Sequence, residues 1–280
     1  MAGRRARHRN VGDRLIFAAV LLLAAAWMAP IVWVIGLSFK PNDVLMRTTS
    51  GILSPPFTVK NYIDIVATSA VFGWMLNSAI VAVGQTVLTL ILATLAGYGF
   101  ARTDFPGKRI VFLLTLAGLA VPEQAIIVPL HTMFAFADLH NTYASLIAPR
   151  LAFPFGVFLM TQYFKGVPRE IEEAAMLDNA SRLKIFFRVV LPLTIPAQAT
   201  LGIYTFLHAW NDYFWPLVSA TRPDMYTLTI GLAAMQTNFA QTEGIGFLMA
   251  QAVFAGLPVL ILYLFFQRHI VNAVSGRVGH

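Results

Sequence analysis

Two carboxylates stand where carboxylates are costly. Glu123 lies between Pro122 and Pro129 in an otherwise apolar stretch, and Asp212 sits in the run Trp210-Asn211-Asp212-Tyr213-Phe214-Trp215-Pro216. Aromatic rings beside planar hydrogen-bonding groups are suited to holding a sugar: ring faces cover its C–H surface while amides and carboxylates take its hydroxyls. On that reading Trp210, Asn211, Asp212, Tyr213 and Trp215, together with Glu123, line a solute path. The competing reading is structural, with the Trp and Tyr rings forming an interfacial belt and Asp212 pairing with another chain. His208 has no second ligand at metal spacing and reads as a hydrogen-bonded interior residue; no metal site is expected. A phosphate loop of the form G-x-x-x-x-G-K-[ST] is missing, because Gly107-Lys108 lacks both the preceding glycine and the following hydroxyl. No nucleophile–base pair offers intramembrane catalysis either.

The elements that must position these groups are membrane spans. Of 280 residues, 58% are hydrophobic and only 12% charged, with a mean hydropathy of +0.69, against about 25% charged in an ordinary globular protein. That leaves too little charged surface for a soluble enzyme or a nucleic-acid binder. There is no cysteine, hence no disulfide and no thiol chemistry. Apolar runs of the length needed to cross a bilayer occupy roughly 15–39, 71–100, 110–134, 143–164, 195–220 and 247–267. Arginines before the first run and Ala24-Ala25-Ala26 inside it have the look of a signal peptide. The apolar stretch continues to Phe39, however, so it reads as an uncleaved anchor.

Basic residues set the orientation. With the N-terminus inside, the inner segments hold Arg4, Arg5, Arg7, Arg9, Arg14, Arg102, Lys108, Arg109, Lys165, Arg169, Arg182, Lys184, Arg188, Arg268 and Arg277; Lys40, Arg47, Lys60, Arg150 and Arg222 count outside. The net charge of +7 is thus topology rather than a nucleic-acid footprint. The expected fold class is an all-α integral membrane protein with six transmembrane helices and both termini cytoplasmic. Its expected divisions are a basic N-terminus (1–14), an anchor helix (15–39), an outer loop (40–70), a five-helix domain (71–267) and a cytoplasmic tail (268–280). Thr221–Gly246 reads as a second outer loop. Gly84, Ala93, Ala96 and Gly97 read as helix-packing positions. Asn179-Ala180-Ser181 matches a glycosylation acceptor but falls on the inner side.

The inner loop 165–194 has helix grammar. Pro168 suits a first helical position, and Glu170, Glu172 and Glu173 favour the positive end of a helix dipole. Ile171, Ala174, Ala175 and Asp178 follow at helical spacing and give a small-residue face. Asn179 suits a left-handed stop, Ser181 a cap for a second helix, and Pro192 and Pro196 a bend into the fifth span. An amphipathic hairpin lying on lipid headgroups is the bland alternative.

The loop nevertheless resembles something specific. Glu173-Ala174-Ala175, three residues, Asn179, nine residues and Val189-Val190-Leu191-Pro192 resemble the "EAA" loop of bacterial ABC importer permeases, E-A-A, three residues, G, nine residues, I-x-L-P. Asn179 replaces the family's Gly and Val189 its Ile; Asn also tolerates the left-handed conformation. Leu37-Ser38-Phe39-Lys40-Pro41, Pro55-Pro56-Phe57-Thr58 to Asn61-Tyr62, Asn77-Ser78, Gly97-Tyr98-Gly99-Phe100-Ala101-Arg102 and Trp210 to Pro216 extend the likeness to the carbohydrate-uptake subgroup, the smaller permease of maltose-type importers.

That resemblance implies a permease subunit of a binding-protein-dependent importer, itself not an enzyme. It implies as partners a second related permease, two cytoplasmic ATPase subunits that bind ATP and Mg, and an extracytoplasmic solute-binding protein. Glu172, Glu173, Ala174, Ala175, Asp178, Asn179 and Ala180 would form the coupling helix seated in an ATPase groove. The tail 271–280 departs from the family's usual ending. A polyol phosphate such as glycerol 3-phosphate remains an alternative cargo. An ion-coupled secondary transporter is the alternative from another class; it would show internally related halves, and the sequence has none.

Overall fold

A computed structural model describes residues 11–41, 54–67, 69–239 and 244–274. The basic N-terminus through Asn10, the outer-loop segment 42–53 with Arg47, and the tail from 275 with Arg277 lie outside the described residues. The described chain is nearly all helix and contains no strand. It forms two compact units, one from the described parts of 1–68 and 235–257, the other from those of 69–234 and 258–280.

In the first unit, α1 (Val11–Ser38) runs unbroken through Ala24–Ala26 and Pro30, with its large apolar side chains exposed, as a lipid-facing span requires. The stretch after it is more than the polar outer loop that its composition indicates. Lys40 is fully buried, donates from Nζ to the Ser54 carbonyl and lies 4.6 Å over the Phe57 ring. A short helix α2 (Lys60–Ala67) supplies Asn61, whose amide donates to the carbonyls of Ser38 (2.8 Å) and Lys40 (3.1 Å). These bonds satisfy carbonyls that the end of α1 leaves orphaned.

The second unit is organised around α3 (Ser69–Arg102), long and apolar enough to cross a membrane. The third apolar run is not one straight helix. It divides into α4 (Lys108–Ala117), a 3-10 turn at Gly118–Ala120 and α5 (Glu123–Phe136), with a 102° bend at the break. Val121 is extended and Pro122 caps α5 without a helical φ/ψ pair, which is where a proline ends a helix. A straight count of 1.5 Å per residue would put Glu123 about 20 Å from the inner end; the bend removes the basis for that depth. The fourth run likewise divides into α6 (Tyr143–Ile147), a 3-10 turn at Ala148–Arg150 and α7 (Pro154–Gly166), bent by 52°.

The segment 165–194 forms the two expected helices, folded back as a hairpin. Its first arm is α8 (Arg169–Leu177); its second begins at α9 (Arg182–Ile185), passes through a π-helical turn at Phe186–Val190 and reaches Leu191–Leu193. A 72° bend at Thr194 then leads into α10 (Ile195–Trp210). The fifth run does not continue to Ala220 as one helix: the chain leaves α10 at Asn211 and resumes as α11 (Phe214–Ser219). Nor is 221–246 simply a loop, since it contains α12 (Leu228–Phe239). The last helix, α13 (Gly244–Val274), contains Pro258 and outruns the expected span at both ends. Among the described residues, three helices qualify as spans by length and composition, or up to six if each bent pair counts as one.

α3 packs against α7 and α10. Their approach depends on small residues: a Cβ placed on Gly97 would lie 2.6 Å from the Met160 Cβ and 2.9 Å from the Thr161 backbone nitrogen. Ala93, Met160, Phe164, Ile185, Phe186, Val190, Ala197 and Leu201 form the buried core there, so the hairpin's second arm is part of the core rather than a lipid-surface layer. At the other end of α3, Asn77 donates to the carbonyls of Asp224 and Tyr226, and the Ser78 hydroxyl accepts from the Leu228 N–H.

Candidate functional site

Two regions gather the polar residues that the sequence singles out. The first is the hairpin. Asn179 adopts φ +56°, the left-handed stop expected of it, and the Ser181 hydroxyl caps α9 by accepting from the Lys184 N–H at 3.4 Å. Seven residues were expected to meet an ATPase, and they divide by direction. Glu173, Ala174, Asp178 and Asn179 are exposed. Glu172 is not: its Oε1 lies 2.5 Å from Arg102 Nε, both side chains are under a tenth exposed, and the Tyr98 hydroxyl donates to Oε2 at 3.5 Å. Arg102 also donates to the Val167 carbonyl at 2.6 Å. Ala175 and Ala180 pack on the core cluster. The small-residue face is therefore split, and Glu172 anchors the hairpin to the end of α3 instead of facing outward. Sequence reasoning missed what replaces it on the tip: Met176, Leu177 and Leu183 are exposed apolar side chains, Leu177 at 85%.

The second region is a cavity of about 660 Å³ lined by α3, the bent third and fourth runs, and the end of α10 with the residues that follow it. Glu123 and Asp212 both line it, and the residue that joins them is Arg150 at the bend of the fourth run. Arg150 Nη1 donates to Glu123 Oε2 at 2.6 Å and to His208 Nδ1 at 3.2 Å. Its Nε and Nη2 face the two oxygens of Asp212, each at 3.1 Å, a two-pronged pairing that fixes both planes. The Arg150 and Asp212 side chains are 15% and 9% exposed, while that of Glu123 is half exposed. Arg150, counted above as an outer-surface charge, is thus an interior group. It lies within the apolar run 143–164 beside Pro149, and a charge inside such a run is a functional signal in its own right. His208, read above as interior, is a partly exposed member of the cluster.

The aromatic candidates fare unevenly. Asn211 and Tyr213 line the cavity. Trp210 does not; it is 4% exposed and stacks on Phe206 at 5.8 Å and 14°. Trp215 borders the cavity but is 2% exposed, with its indole N–H donated to the Ser145 carbonyl at 2.7 Å, so it acts as wall. The ring faces there come from residues that sequence reasoning passed over: Tyr204 stacks on Phe153 (5.6 Å, 17°) and on His208 (6.0 Å, 23°). Tyr204 and His208 are four apart on α10, a spacing that alone puts them on one helix face.

The family described as "Binding-protein-dependent transport system inner membrane component" matches residues 90–276. The arabinooligosaccharides transport system permease of Halalkalibacterium halodurans is 34% identical over 262 residues, 92% of each chain. The diacetylchitobiose uptake system permease of Streptomyces coelicolor is 34% identical over 92% of this chain and 86% of its own length. The trehalose transport system permease of Mycobacterium tuberculosis is 29% identical over 98% of both. In structure, the chain resembles one from a bacterial ABC transporter that imports the acidic polysaccharide alginate, with a TM-score of 0.81 over 95% of this chain and 99% of that one, at 19% identity. On a family match across two thirds of its length and relatives of this identity and coverage, this multi-pass membrane chain belongs to the binding-protein-dependent transport system inner membrane components, the permeases of ABC transporters.

Proposed function

We propose that this chain is one of two permease subunits in an ATP-driven, binding-protein-dependent importer of a sugar or oligosaccharide in a bacterial cytoplasmic membrane. It crosses the membrane six times with both ends inside and contributes half of the solute path. The uptake of arabinooligosaccharides, diacetylchitobiose and trehalose named for its relatives supports the solute class. The cavity with stacked Tyr204 and the Glu123–Arg150–Asp212 cluster is its stretch of that path.

The observation that carries the coupling role is the hairpin's anchored base and exposed tip. The Arg102–Glu172 pair and the Phe186 and Val190 core contacts tie the hairpin to α3 and α7, so the tip cannot move without the spans. Glu173, Ala174, Met176 and Leu177 then present one negative charge and an apolar surface to an ATPase subunit. Two such ATPases bind ATP and Mg and close in an ATP-driven step; a rigid tip converts that closure into a change of packing among the spans. A solute-binding protein delivers the cargo from outside.

The test is Glu173→Lys. Glu173 is exposed, so the variant should insert and fold as the parent does. Co-purification of the ATPase, or nucleotide-dependent uptake in proteoliposomes, should fall at least tenfold. Uptake at the parental rate would remove the coupling assignment.

A further inference from the structure

The guanidinium of Arg150 has five N–H donors, and four are directed at groups of its own chain: two toward Asp212, one to Glu123 and one to His208. A guanidinium donates and never accepts, so His208 Nδ1 carries a lone pair in this arrangement. That leaves Nε2 on the side of Glu123 Oε1, at 3.9 Å. Arg150 contributes one positive charge to the cluster, Asp212 and Glu123 two negative ones, and the sum is one negative. The half-exposed carboxylate is that of Glu123, and it borders the cavity. The remaining cavity chemistry is uncharged: the exposed ring of Tyr204 and the side chains of Gln124, Asn211 and Tyr213.

We infer that this cavity accepts uncharged polyhydroxylated solutes and turns anionic ones away, polyol phosphates and uronates included, because its one cation is already consumed by its own carboxylates. The inference rests on the reading that the cavity belongs to the solute path, and it sharpens that reading by dividing two cargo classes. A phosphate or carboxylate reaching Arg150 has to displace Asp212 or Glu123, leaving that carboxylate uncompensated at low dielectric. It also approaches a site whose net field repels it. A sugar needs no such exchange. Its hydroxyls donate to the outward oxygen of Glu123, its acceptors meet amide and phenol N–H and O–H groups, and its apolar face covers Tyr204. Arg150 is on this account a positioning residue that fixes the two carboxylates, not an anion receptor.

The chain contains no cysteine, so one introduced thiol reports the cavity's field without any knowledge of the cargo. Ile126 lines the cavity one turn along α5 from Glu123. In the assembled transporter carrying Ile126→Cys, modification of this chain is followed by mass with a cationic and an anionic methanethiosulfonate, each normalised to its rate with a free thiol. The cationic reagent should react roughly tenfold faster. Adding Glu123→Gln and Asp212→Asn changes the cluster from one net negative to one net positive charge and should reverse the preference; Glu123→Gln alone should abolish most of it. Equal rates with the cluster intact, or a faster anionic reagent, would overturn the inference without needing any variant of the cluster to fold. Uptake of glycerol 3-phosphate or a glucuronide at the rate of a neutral sugar would overturn it too. Failure to move any sugar strikes the importer reading instead and leaves the labelling ratio standing.

Discussion

The hairpin and the cavity each hold an arginine against carboxylates, and they do so to opposite ends. At the hairpin the stoichiometry is one to one: Arg102 meets Glu172 at 2.5 Å with both side chains buried, Arg102 gives a further donor to the Val167 carbonyl, and Glu172 accepts from the Tyr98 hydroxyl. In the cavity one arginine serves two carboxylates and a histidine drawn from three separate elements, and one carboxylate stays half open. A closed pair joins two pieces of backbone and offers nothing to a third party. An oversubscribed arginine leaves negative charge for something else to meet. The same residue types thus mark a strut in one place and a binding surface in the other, and it is the count of partners and their exposure that tells them apart.

The largest expected effect comes from removing the hub. Arg150→Leu leaves Glu123 and Asp212 facing one another across the cavity wall with nothing between them. Breaking a buried ion group on one side costs about 3–5 kcal/mol; the upper half of that range belongs to Asp212, which is nearly buried, and solvent relieves Glu123. The midpoint of thermal unfolding of the purified complex should fall by many degrees and uptake should vanish. A midpoint unchanged from the parent would mean that the cluster stores no such energy.

Second in size is the strut, and here the double variant is the informative one. Arg102→Leu alone strands a buried carboxylate at a cost of about 3 kcal/mol. Because the pair is closed, replacing Glu172 by Leu as well should restore all but about 1 kcal/mol, the share of the lost hydrogen bond to Val167. The matched experiment in the cavity, Arg150→Leu with Asp212→Leu, should recover less, since Glu123 and His208 still lose their donor. Equal recovery at the two sites, measured by unfolding midpoints, would erase the distinction drawn between them.

Much of this was readable beforehand where the physics is local. Apolar run length picks out the stretches that become long helices or bent helix pairs, Pro192 and Pro196 flank the bend at Thr194, and Asn179 and Ser181 place the hairpin turn because a left-handed stop and a cap depend only on near neighbours. Glu123 and Asp212 were legible as costly groups. Their partner was not, since Arg150 lies 27 residues from one and 62 from the other and meets them only through bends of 102° and 52° that no periodicity encodes. Direction was the other loss. Glu172 and Glu173 are adjacent and chemically alike, yet the helix turns one toward Arg102 and the other to solvent. Trp210 failed for the same reason: a tryptophan in a sugar-like cluster faces either the cavity or Phe206, and only packing decides.

The smallest effect tests the turn that joins strut to tip. Asn179 holds φ +56° with its N–H donated to the Met176 carbonyl at 3.0 Å, and it is exposed, so its side chain contributes little packing. Asn179→Gly should be neutral within about 0.5 kcal/mol, because glycine adopts this conformation without a Cβ penalty but gains unfolded-state entropy. Asn179→Ala should cost about 1 kcal/mol. The strut does not depend on the turn, so the alanine variant should keep the Arg102–Glu172 coupling energy of the parent in a double-mutant cycle while ATPase-driven uptake falls a few-fold. If instead the coupling energy collapses with the turn, tip and base are one cooperative piece, and the hairpin's rigidity comes from its turn rather than from its buried pair.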